Sequence, residues 1–428
     1  MAESMTIALD VMGGDDAPRI VIEGAELALS HDPGLRFLLF GDEHKFKQYL
    51  ANAPLLKQRS EVIHTDIEVG MDEKPKTALR KRKSSMWLAI DAVTKGDADC
   101  CVSAGNTGVL MGMAHIRMRP LPGIERPAIA SVFPNSANTP MVMLDLGANV
   151  VCDADNLSQF AVMGGLYAKH VLGVDNPTLG LLNIGSEQMK GNEVVRGAAD
   201  RLNDMRLPGE FVGFIEGNDI ATGKVNVVVT DGFTGNIALK TAEGMAKMYS
   251  AFLKETFYEG LRAKLGYLLL RPGLLKLKDR TDPRKFNGAM FLGLHGICVK
   301  SHGGTDEVGY CNAIEVARDL VRQDFNDRIV VELEKLAYDD YDDEEDEADA
   351  DTGMPEQDEQ PADASASETD DAADADSADA DSANDTETET GSDKKGSDRK
   401  ASDNTAPEQA DPGDDDAKDS PDKQKDPT

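Results

Sequence analysis

Short runs of apolar residues recur along the first 338 residues, and stretches with a helical spacing of apolar positions lie between several of them. The runs that predict strands are residues 6–9, 37–40, 100–103, 128–132, 141–144, 178–183, 211–214 and 225–230. The stretches that predict helices include 20–30, 84–95, 157–172 and 193–202. Strands that alternate with helices favour a largely parallel α/β sheet with helices on both faces.

Loops rich in glycine and small polar residues follow several of these strands. They span residues 10–15, 104–108, 145–149 and 184–192. In open α/β sheets, ligands bind outside the carboxyl ends of the strands, so we expect these loops to line one shared cleft, although each alone would be an ordinary turn. The residues that we expect to bind substrate here are Asp10, Gly13, Gly14, Ser103, Asn106, Thr107, Gly108 and Asn183.

The stretch 225–240, VNVVVTDGFTGNIALK, combines a buried strand, a tight turn and the start of a helix. Free backbone N–H groups and the positive end of the helix dipole would converge there, which predicts an anion site that includes Gly235 and Asn236. Asp231 lies beside that site. Its carboxylate would either cap the helix or handle a proton, and the pattern alone does not decide between these roles.

Two side chains add candidate donors to the same site. Lys190 lies in a loop bounded by glycines, just before a helix that Asn192 could cap. An ammonium group beside free helix N–H groups would hold phosphate well, although an exposed loop lysine is the common alternative. His302 follows another apolar run and could contribute a further donor.

Several familiar signatures are absent from the sequence. No GxGxxG follows the first strand, residues 217–225 do not fit a P-loop, and neither GxSxG nor HExxH occurs. The seven histidines are not spaced as metal ligands. We therefore expect a cleft that binds an anion without a metal, a nucleotide or other cofactor, or a covalent serine. We also expect no nucleic-acid partner.

The charge is concentrated at the carboxyl end of the chain. Of a net charge of −33, the segment from Asp339 to Thr428 carries −28, from 35 acidic and 7 basic residues. With almost no large apolar residues, this segment predicts a disordered acidic tail, 339–428, behind a globular domain, 1–338. Five cysteines without a CxxC pair fit buried thiols in a reducing cytoplasm. No signal peptide or transmembrane helix is expected.

The segment from about 241 to 285 predicts a helical protrusion that is broken near residues 266–275. Its apolar stripe would pack on the core or on a second subunit, whereas an apolar tip with basic flanks would touch an anionic membrane. The expected membrane contacts are Leu268, Leu269, Leu270, Leu274 and Leu275. The basic run LRKRKS at 79–84 is either a solvated face or a docking site for an acidic protein.

Nine motifs together resemble one enzyme family, the acyl-carrier-protein:phosphate acyltransferases of bacterial phospholipid synthesis. In order over residues 6–315 they are LDVMGGDDAP, GMDEKP, LRKRKSSM, VSAGNTGVLM, GIERPA, LDLGANV, GLLNIGSEQMKGNE, VVVTDGFTGNIALKT and VKSHGGTDEVGYCNAI. The resemblance covers nearly all of the globular part and leaves out the acidic tail.

The resemblance implies a Rossmann-like three-layer α/β/α sandwich, similar to the phosphotransacetylase and isocitrate dehydrogenase group. It implies a cytoplasmic homodimer associated peripherally with the inner face of the cell membrane. The enzyme would move a fatty acyl group from acyl carrier protein to inorganic phosphate, and the acyl phosphate would feed an integral-membrane glycerol-3-phosphate acyltransferase.

Within that reaction, we expect Lys190 and Asp231 to be catalytic. Lys190 would offset the charge of phosphate and stabilise the oxyanion, and Asp231 would orient phosphate or accept its proton. Two alternatives remain open at this point: a phosphotransacetylase that acts on acyl-coenzyme A, and a non-catalytic scaffold on the membrane surface.

Overall fold

An eleven-stranded mixed sheet runs through the residues that the structure, a computed structural model, describes: 5–258 and 260–334. The strands are β1 (Thr6–Asp10), β2 (Arg36–Gly41), β3 (Ser60–His64), β4 (Cys100–Ser103), β5 (Ala128–Val132), β6 (Val142–Leu144), β7 (Thr178–Leu182), β8 (Glu210–Ile215), β9 (Val227–Val229), β10 (Ala289–Leu292) and β11 (Ile297–Lys300). Their order across the sheet is β3-β2-β1-β4-β11-β10-β5-β6-β9-β7-β8. The predicted acidic tail lies outside the described residues.

The sheet consists of two parallel blocks that point in opposite directions. The first block is β3-β2-β1-β4-β11 and the second is β6-β9-β7-β8. Between them, β10 pairs antiparallel with β11 and β5, and β5 pairs antiparallel with β6. Three successive reversals leave the second block pointing against the first.

Helices flank both faces of the sheet. They are α1 (Arg19–His31), α2 (Glu43–Ala51), α3 (Pro54–Arg59), α4 (Pro75–Ala78), α5 (Ser85–Lys95), α6 (Thr107–Met118), α7 (Ala154–His170), α8 (Glu193–Asp204), α9 (Gly217–Thr222), α10 (Gly232–Tyr258), α11 (Gly260–Arg280) and α12 (Glu307–Arg322), with a 3₁₀ turn at Pro283–Phe286 and helical residues at 325–334. Side chains predicted to cap helices do so. Asn192 Oδ1 accepts from Val195 N at 2.8 Å, which starts α8.

Alternate residues of the strands belong to two separate apolar cores. In β1, Ile7 and Leu9 belong to the same core as the buried residues of α1, α7 and α12, whereas Ala8 belongs to the core on the opposite face with those of α5 and α6. A strand presents successive side chains to opposite faces, so each face of the sheet carries its own helical layer. This is the predicted three-layer α/β/α arrangement. All five cysteines are buried within it.

The apolar pattern does not predict β3, β10 or β11. β3 is an edge strand whose residues are half-buried or exposed, so its pattern is weak. β10 and β11 are joined by only four residues, 293–296, so no helical stretch separates them and the alternation of strands with helices does not reveal them. The omission of β11 matters for function, because β11 pairs with β4 and places Lys300 at the end of the first block.

The predicted protrusion is a pair of helices, α10 and α11, whose side chains are mostly exposed beyond Lys240. The predicted break near 266–275 is wrong, since α11 continues through Pro272. Helix α10 ends at Tyr258 and α11 begins at Gly260, whose φ of 87° suits glycine. Leu268, Leu269, Leu270 and Leu275 are exposed, and Leu274 is half-buried.

No helix in the described part of the chain combines the length and the apolar character that crossing a bilayer requires.

Candidate active site

The strand directions divide the predicted site residues into two clusters. The first cluster lies after β1, β4 and β11 and contains Asp10, Gly13, Gly14, Ser103, Asn106, Thr107, Gly108 and His302. The second cluster lies after β7 and β9 and contains Asn183, Lys190, Asp231, Gly235 and Asn236. The expectation that these loops stand at equivalent strand ends is wrong, because the two blocks of the sheet run in opposite directions.

In the first cluster, Asp10 is buried and holds the strand ends together. Its Oδ2 accepts from Ser103 Oγ at 2.7 Å, and Ser103 Oγ accepts from Gly105 N at 3.1 Å. A Cβ on Gly13 would lie 2.5 Å from Asp10 Oδ2, so this turn requires glycine. Burial raises the pKa of the Asp10 carboxyl, and the hydroxyl and backbone donors oppose that rise. Asp10 and Gly13 therefore organise the site from within the protein.

Lys300, which the sequence reasoning did not select, is buried in the same cluster. Its Nζ donates to Ala104 O at 3.2 Å and also to Ser301 O. Burial lowers the pKa of Lys300 to about 8, the ammonium of Lys240 acts in the same direction, and the Asp10 carboxylate opposes both. A lysine at the end of an otherwise apolar run, ICVK, was the signal available in the sequence.

The amino end of α6 supplies open donors to the first cluster. Asn106 caps this helix through Oδ1, which accepts from Val109 N at 3.1 Å. Among the described residues, none accepts from the N–H groups of Thr107 and Gly108. His302 is exposed, and its Nδ1 accepts from Gly304 N at 3.1 Å. Partial burial and the charge of Lys240 lower the pKa of His302.

Asp145, also missed by the sequence reasoning, organises the second cluster. Its side chain is fully buried and accepts from the backbone N–H groups of residues 129, 147, 148 and 149 at 2.6–3.1 Å, as well as from the Asn149 side chain at 3.0 Å. The start of α10 packs directly on this loop, since Gly232 N donates to Asn149 O at 2.8 Å. A Cβ on Gly235 would collide with Asp145 O, so Gly235 allows the close approach.

Asp231 is the N-cap of α10. Its Oδ1 accepts from Thr234 N at 2.9 Å, and its Oδ2 accepts from Thr234 Oγ1 at 2.7 Å. The expectation that Gly235 offers a free N–H group is wrong, because this group donates to Asp231 O at 2.9 Å in the first turn. In the described structure, the donor left without an acceptor in this first turn is the N–H of Phe233.

Lys190 is half-exposed on the neighbouring loop and already pairs with an anion. Its Nζ lies 3.1 Å from Glu187 Oε2. The side chain of Asn183 closes the loop, since Nδ2 donates to Lys190 O at 3.0 Å and Oδ1 accepts from Ile184 N at 2.9 Å. The backbone N–H of Glu187 and then Lys190 lower the pKa of the Glu187 carboxyl. A phosphate ion could replace this carboxylate as the partner of Lys190.

Helix α10 connects the two clusters. It begins in the second cluster at Gly232, and eight residues later Lys240 lies close enough to Lys300 and His302 to influence both. At 1.5 Å per residue, this separation is about 12 Å along the helix. One phosphate ion is too small to contact both clusters, whereas an extended substrate could reach from one to the other.

One group of potential metal ligands lies away from both clusters. His31, Cys311 and Glu315 each place a ligand atom within 4.8 Å of the others. However, His31 Nδ1 and Glu315 Oε1 are 2.8 Å apart, which is the distance of a direct hydrogen bond. The thiol of Cys311 is buried, and burial raises its pKa to about 12. These contacts indicate a histidine–glutamate pair above a buried thiol.

Comparison with known proteins places this geometry in a family. A family model described as a fatty acid synthesis protein matches residues 5–328. The phosphate acyltransferase of Paramagnetospirillum magneticum is 55% identical over 337 residues, which cover 78% of this chain and 96% of that protein. The phosphate acyltransferase of Rhodospirillum centenum is 58% identical over 337 residues, covering 78% and 95%.

Among solved structures, a phosphotransacetylase from Streptococcus pyogenes is similar to this chain with a TM-score of 0.53 and 16% sequence identity. The match covers 76% of this chain and 95% of that one. At this level of identity the likeness shows the fold alone. It agrees with the fold that the sequence pattern and the family resemblance predict.

Proposed function

Because this chain belongs to the phosphate acyltransferase family, we propose that it transfers a fatty acyl group from acyl carrier protein to inorganic phosphate. The family membership carries this proposal, and the second cluster supports it, since Lys190 and Asp231 follow the adjacent strands β7 and β9 and Asp231 caps the start of α10. The products are an acyl phosphate and the free thiol of the carrier. The acyl phosphate would serve a membrane-bound glycerol-3-phosphate acyltransferase.

In the proposed reaction, an oxygen of hydrogen phosphate attacks the carbonyl carbon of the thioester. A C–O bond forms, the C–S bond breaks, and the phosphate proton ends on the departing sulfur. Lys190 exchanges Glu187 for phosphate and stabilises the oxyanion, and Asp231 carries the proton between the two substrates. Holding both reactants in line contributes on the order of 7–11 kcal/mol in well-oriented reactions.

Basic side chains beside the first cluster suit an acidic carrier protein. Lys74, Lys76, Arg80, Arg82 and Lys83 are exposed on the segment that includes α4. This segment is tied to the amino end of α6, since Asn106 Nδ2 donates to Met71 O at 2.6 Å. A carrier bound here would present its thioester arm along α10 toward the second cluster. Electrostatic complementarity of this kind raises association rates and specificity.

The helical pair α10 and α11 suits a membrane surface or a second copy of this chain. Leu268, Leu269 and Leu270 are 61%, 75% and 56% exposed, and Arg271, Lys276 and Lys278 lie close by on α11. Exposed leucines with basic neighbours favour contact with anionic lipid. The α10 residues Met248, Tyr249 and Phe252 are also exposed and would support a homodimer. We propose a dimeric enzyme that works at the inner face of the cell membrane.

Release of the carrier thiol, catalysed by the purified protein, tests this function. With long-chain acyl carrier protein and phosphate, release should depend on both substrates. Thiol release without phosphate would indicate a thioesterase, and turnover restricted to acyl-coenzyme A would indicate a phosphotransacetylase. Liposome binding without turnover on either substrate would favour a scaffold. Each of these results would contradict the proposal.

A further inference from the structure

We infer that an apolar rim around the second cluster binds the fatty acyl chain of the substrate. The rim consists of Val150, Val151, Ile184, Met189, Phe233 and Ile237. This inference rests on the proposed function, and it identifies where the hydrocarbon part of the substrate lies while the carbonyl group reacts.

All six rim side chains are strongly exposed. Their exposed fractions are 65% for Val150, 76% for Val151, 79% for Ile184, 88% for Met189, 59% for Phe233 and 50% for Ile237. Single exposed apolar residues are ordinary, but a group of this size around one site marks a binding surface. Because these side chains are exposed, packing of the fold does not require them to be apolar.

The sheet brings these residues to one place. They follow β6, β7 and β9, which are adjacent and parallel, so their carboxyl ends are separated by about 5 Å per strand. Val150 follows Asn149, whose carbonyl accepts from Gly232 N at the start of α10. Phe233 and Ile237 are four residues apart on α10 and therefore share one face of that helix.

The catalytic candidates lie on the same segments of the chain as several rim residues. Met189 is the neighbour of Lys190 in the chain, and Ile184 follows Asn183, which holds the Lys190 loop closed. Phe233 follows Asp231 by two residues. In a thioester, the hydrocarbon chain begins at the same carbonyl carbon that phosphate attacks. The first methylene groups of an acyl chain whose carbonyl is held by Lys190 and Asp231 would therefore lie beside these apolar side chains.

The rim differs from the other exposed apolar surface of the molecule, which lies on α10 and α11. That surface spans a long helical pair with basic neighbours, far along α10 from its N-terminus. The rim consists of short loops and one helix start beside an anion site. An amphiphilic ligand with an anionic end and an apolar chain matches this arrangement, and the proposed acyl substrate has that character.

A chain-length series tests the inference. Full burial of a methylene group is worth about fourfold in kcat/KM. We expect wild-type kcat/KM for acyl carrier proteins to rise by about two- to fourfold per methylene. In Ile184→Ser and Ile237→Ser this slope should fall, so that the loss relative to wild type grows with chain length and reaches about tenfold or more for a sixteen-carbon chain.

Leu55→Ser is the matched control, because Leu55 is 43% exposed on α3, away from both clusters. It should keep the wild-type slope. Equal losses at every chain length, or no loss, would overturn the inference. Equal losses accompanied by weaker self-association in sedimentation would assign the rim to a second copy of the chain and overturn it as well. If wild-type protein does not turn over acyl thioesters of the carrier protein at all, the proposed function is refuted. That result differs from turnover whose kcat/KM does not depend on chain length, which would overturn only this inference.

Discussion

At the scale of single residues, Asp231 is the N-cap of α10 and, in the proposed reaction, also carries a proton, two roles that the sequence could not separate. Both carboxylate oxygens bind Thr234, so the side chain fixes the start of α10. The N–H of Phe233, where an anion would bind, belongs to the same first turn of α10. Capping and proton transfer are compatible, because an N-cap carboxylate still has lone pairs that face the ligand. A test of the catalytic role must therefore remove the negative charge of Asp231 while keeping its capping hydrogen bond.

The pair Asp231→Asn and Asp231→Ala makes that separation. Asparagine caps helices about as well as aspartate, whereas alanine costs about 1 kcal/mol of stability. We expect Asp231→Asn to unfold at the wild-type urea concentration and yet to lose about a hundredfold or more in kcat. A normal kcat in the asparagine variant would limit Asp231 to its structural role.

Lys300 has a pKa that depends on tertiary structure, because folding buries its ammonium group. Its pKa is lowered from 10.5 to about 8, mainly by burial. The folded protein therefore binds this proton less tightly than the unfolded chain does. The resulting destabilisation is complete below pH 8 and disappears as the pH rises to 10.5, a total of about 3 kcal/mol.

Urea unfolding at pH 8, 9 and 10 checks this linkage. Compared with Lys300→Met, which lacks the titrating amine, wild-type protein should gain free energy of unfolding by about 1 kcal/mol per pH unit. Groups common to both proteins cancel in the comparison. A difference that stays constant across this range would show that Lys300 has an ordinary pKa.

At the scale of elements, the long periodic helices and most of the strands were predictable, whereas β3, β10 and β11 were not. The predicted helix at 84–95 corresponds to α5 (Ser85–Lys95), because Ser84 and Gly96 mark its two ends. β10 and β11 owe their strand conformation to pairing with β5 and β4. The continuity of α11 through Pro272 also departs from local preference, since proline normally kinks or ends a helix.

The exposed leucines of α11 yield a prediction about membrane binding. Leu269→Glu places a charge on a residue that is 75% exposed, so the fold should tolerate it. We expect binding to vesicles of anionic lipid to fall about tenfold or more, while turnover on acyl carrier in the absence of vesicles stays within twofold of wild type. Unchanged vesicle binding would exclude Leu269 from the membrane contact.

The basic segment near α4 yields a prediction about the carrier. In the double variant Lys76→Glu and Arg80→Glu, repulsion of an acidic carrier should raise KM for acyl carrier protein about tenfold or more with little change in kcat. The effect should weaken as salt is added. Lys57→Glu, an equally exposed change on α3, is the control. An equal rise in KM in the control variant would show that the effect comes from the net charge of the protein and not from the basic segment near α4.

At the scale of the whole molecule, the pattern of the sequence gives the layers but not the directions of the strands. Alternation of strands and helices was enough to predict the α/β/α sandwich. The reversal between the blocks depends on β10, β5 and β6, and nothing local to those segments encodes it. For this reason the sequence could select candidate residues only one by one. Their division into two clusters, and the central positions of Asp145 and Lys300, required the structure.

In the proposed reaction, the second cluster binds the phosphate that attacks the thioester. The most direct measurement is incorporation of radiolabelled phosphate into acyl phosphate from a long-chain acyl thioester of the carrier protein, with wild-type and Lys190→Ala proteins side by side over a range of phosphate concentrations. We expect saturable formation of labelled acyl phosphate by wild-type protein, and about a hundredfold less by a folded Lys190→Ala variant. Undiminished label transfer by the variant would place the phosphate site elsewhere.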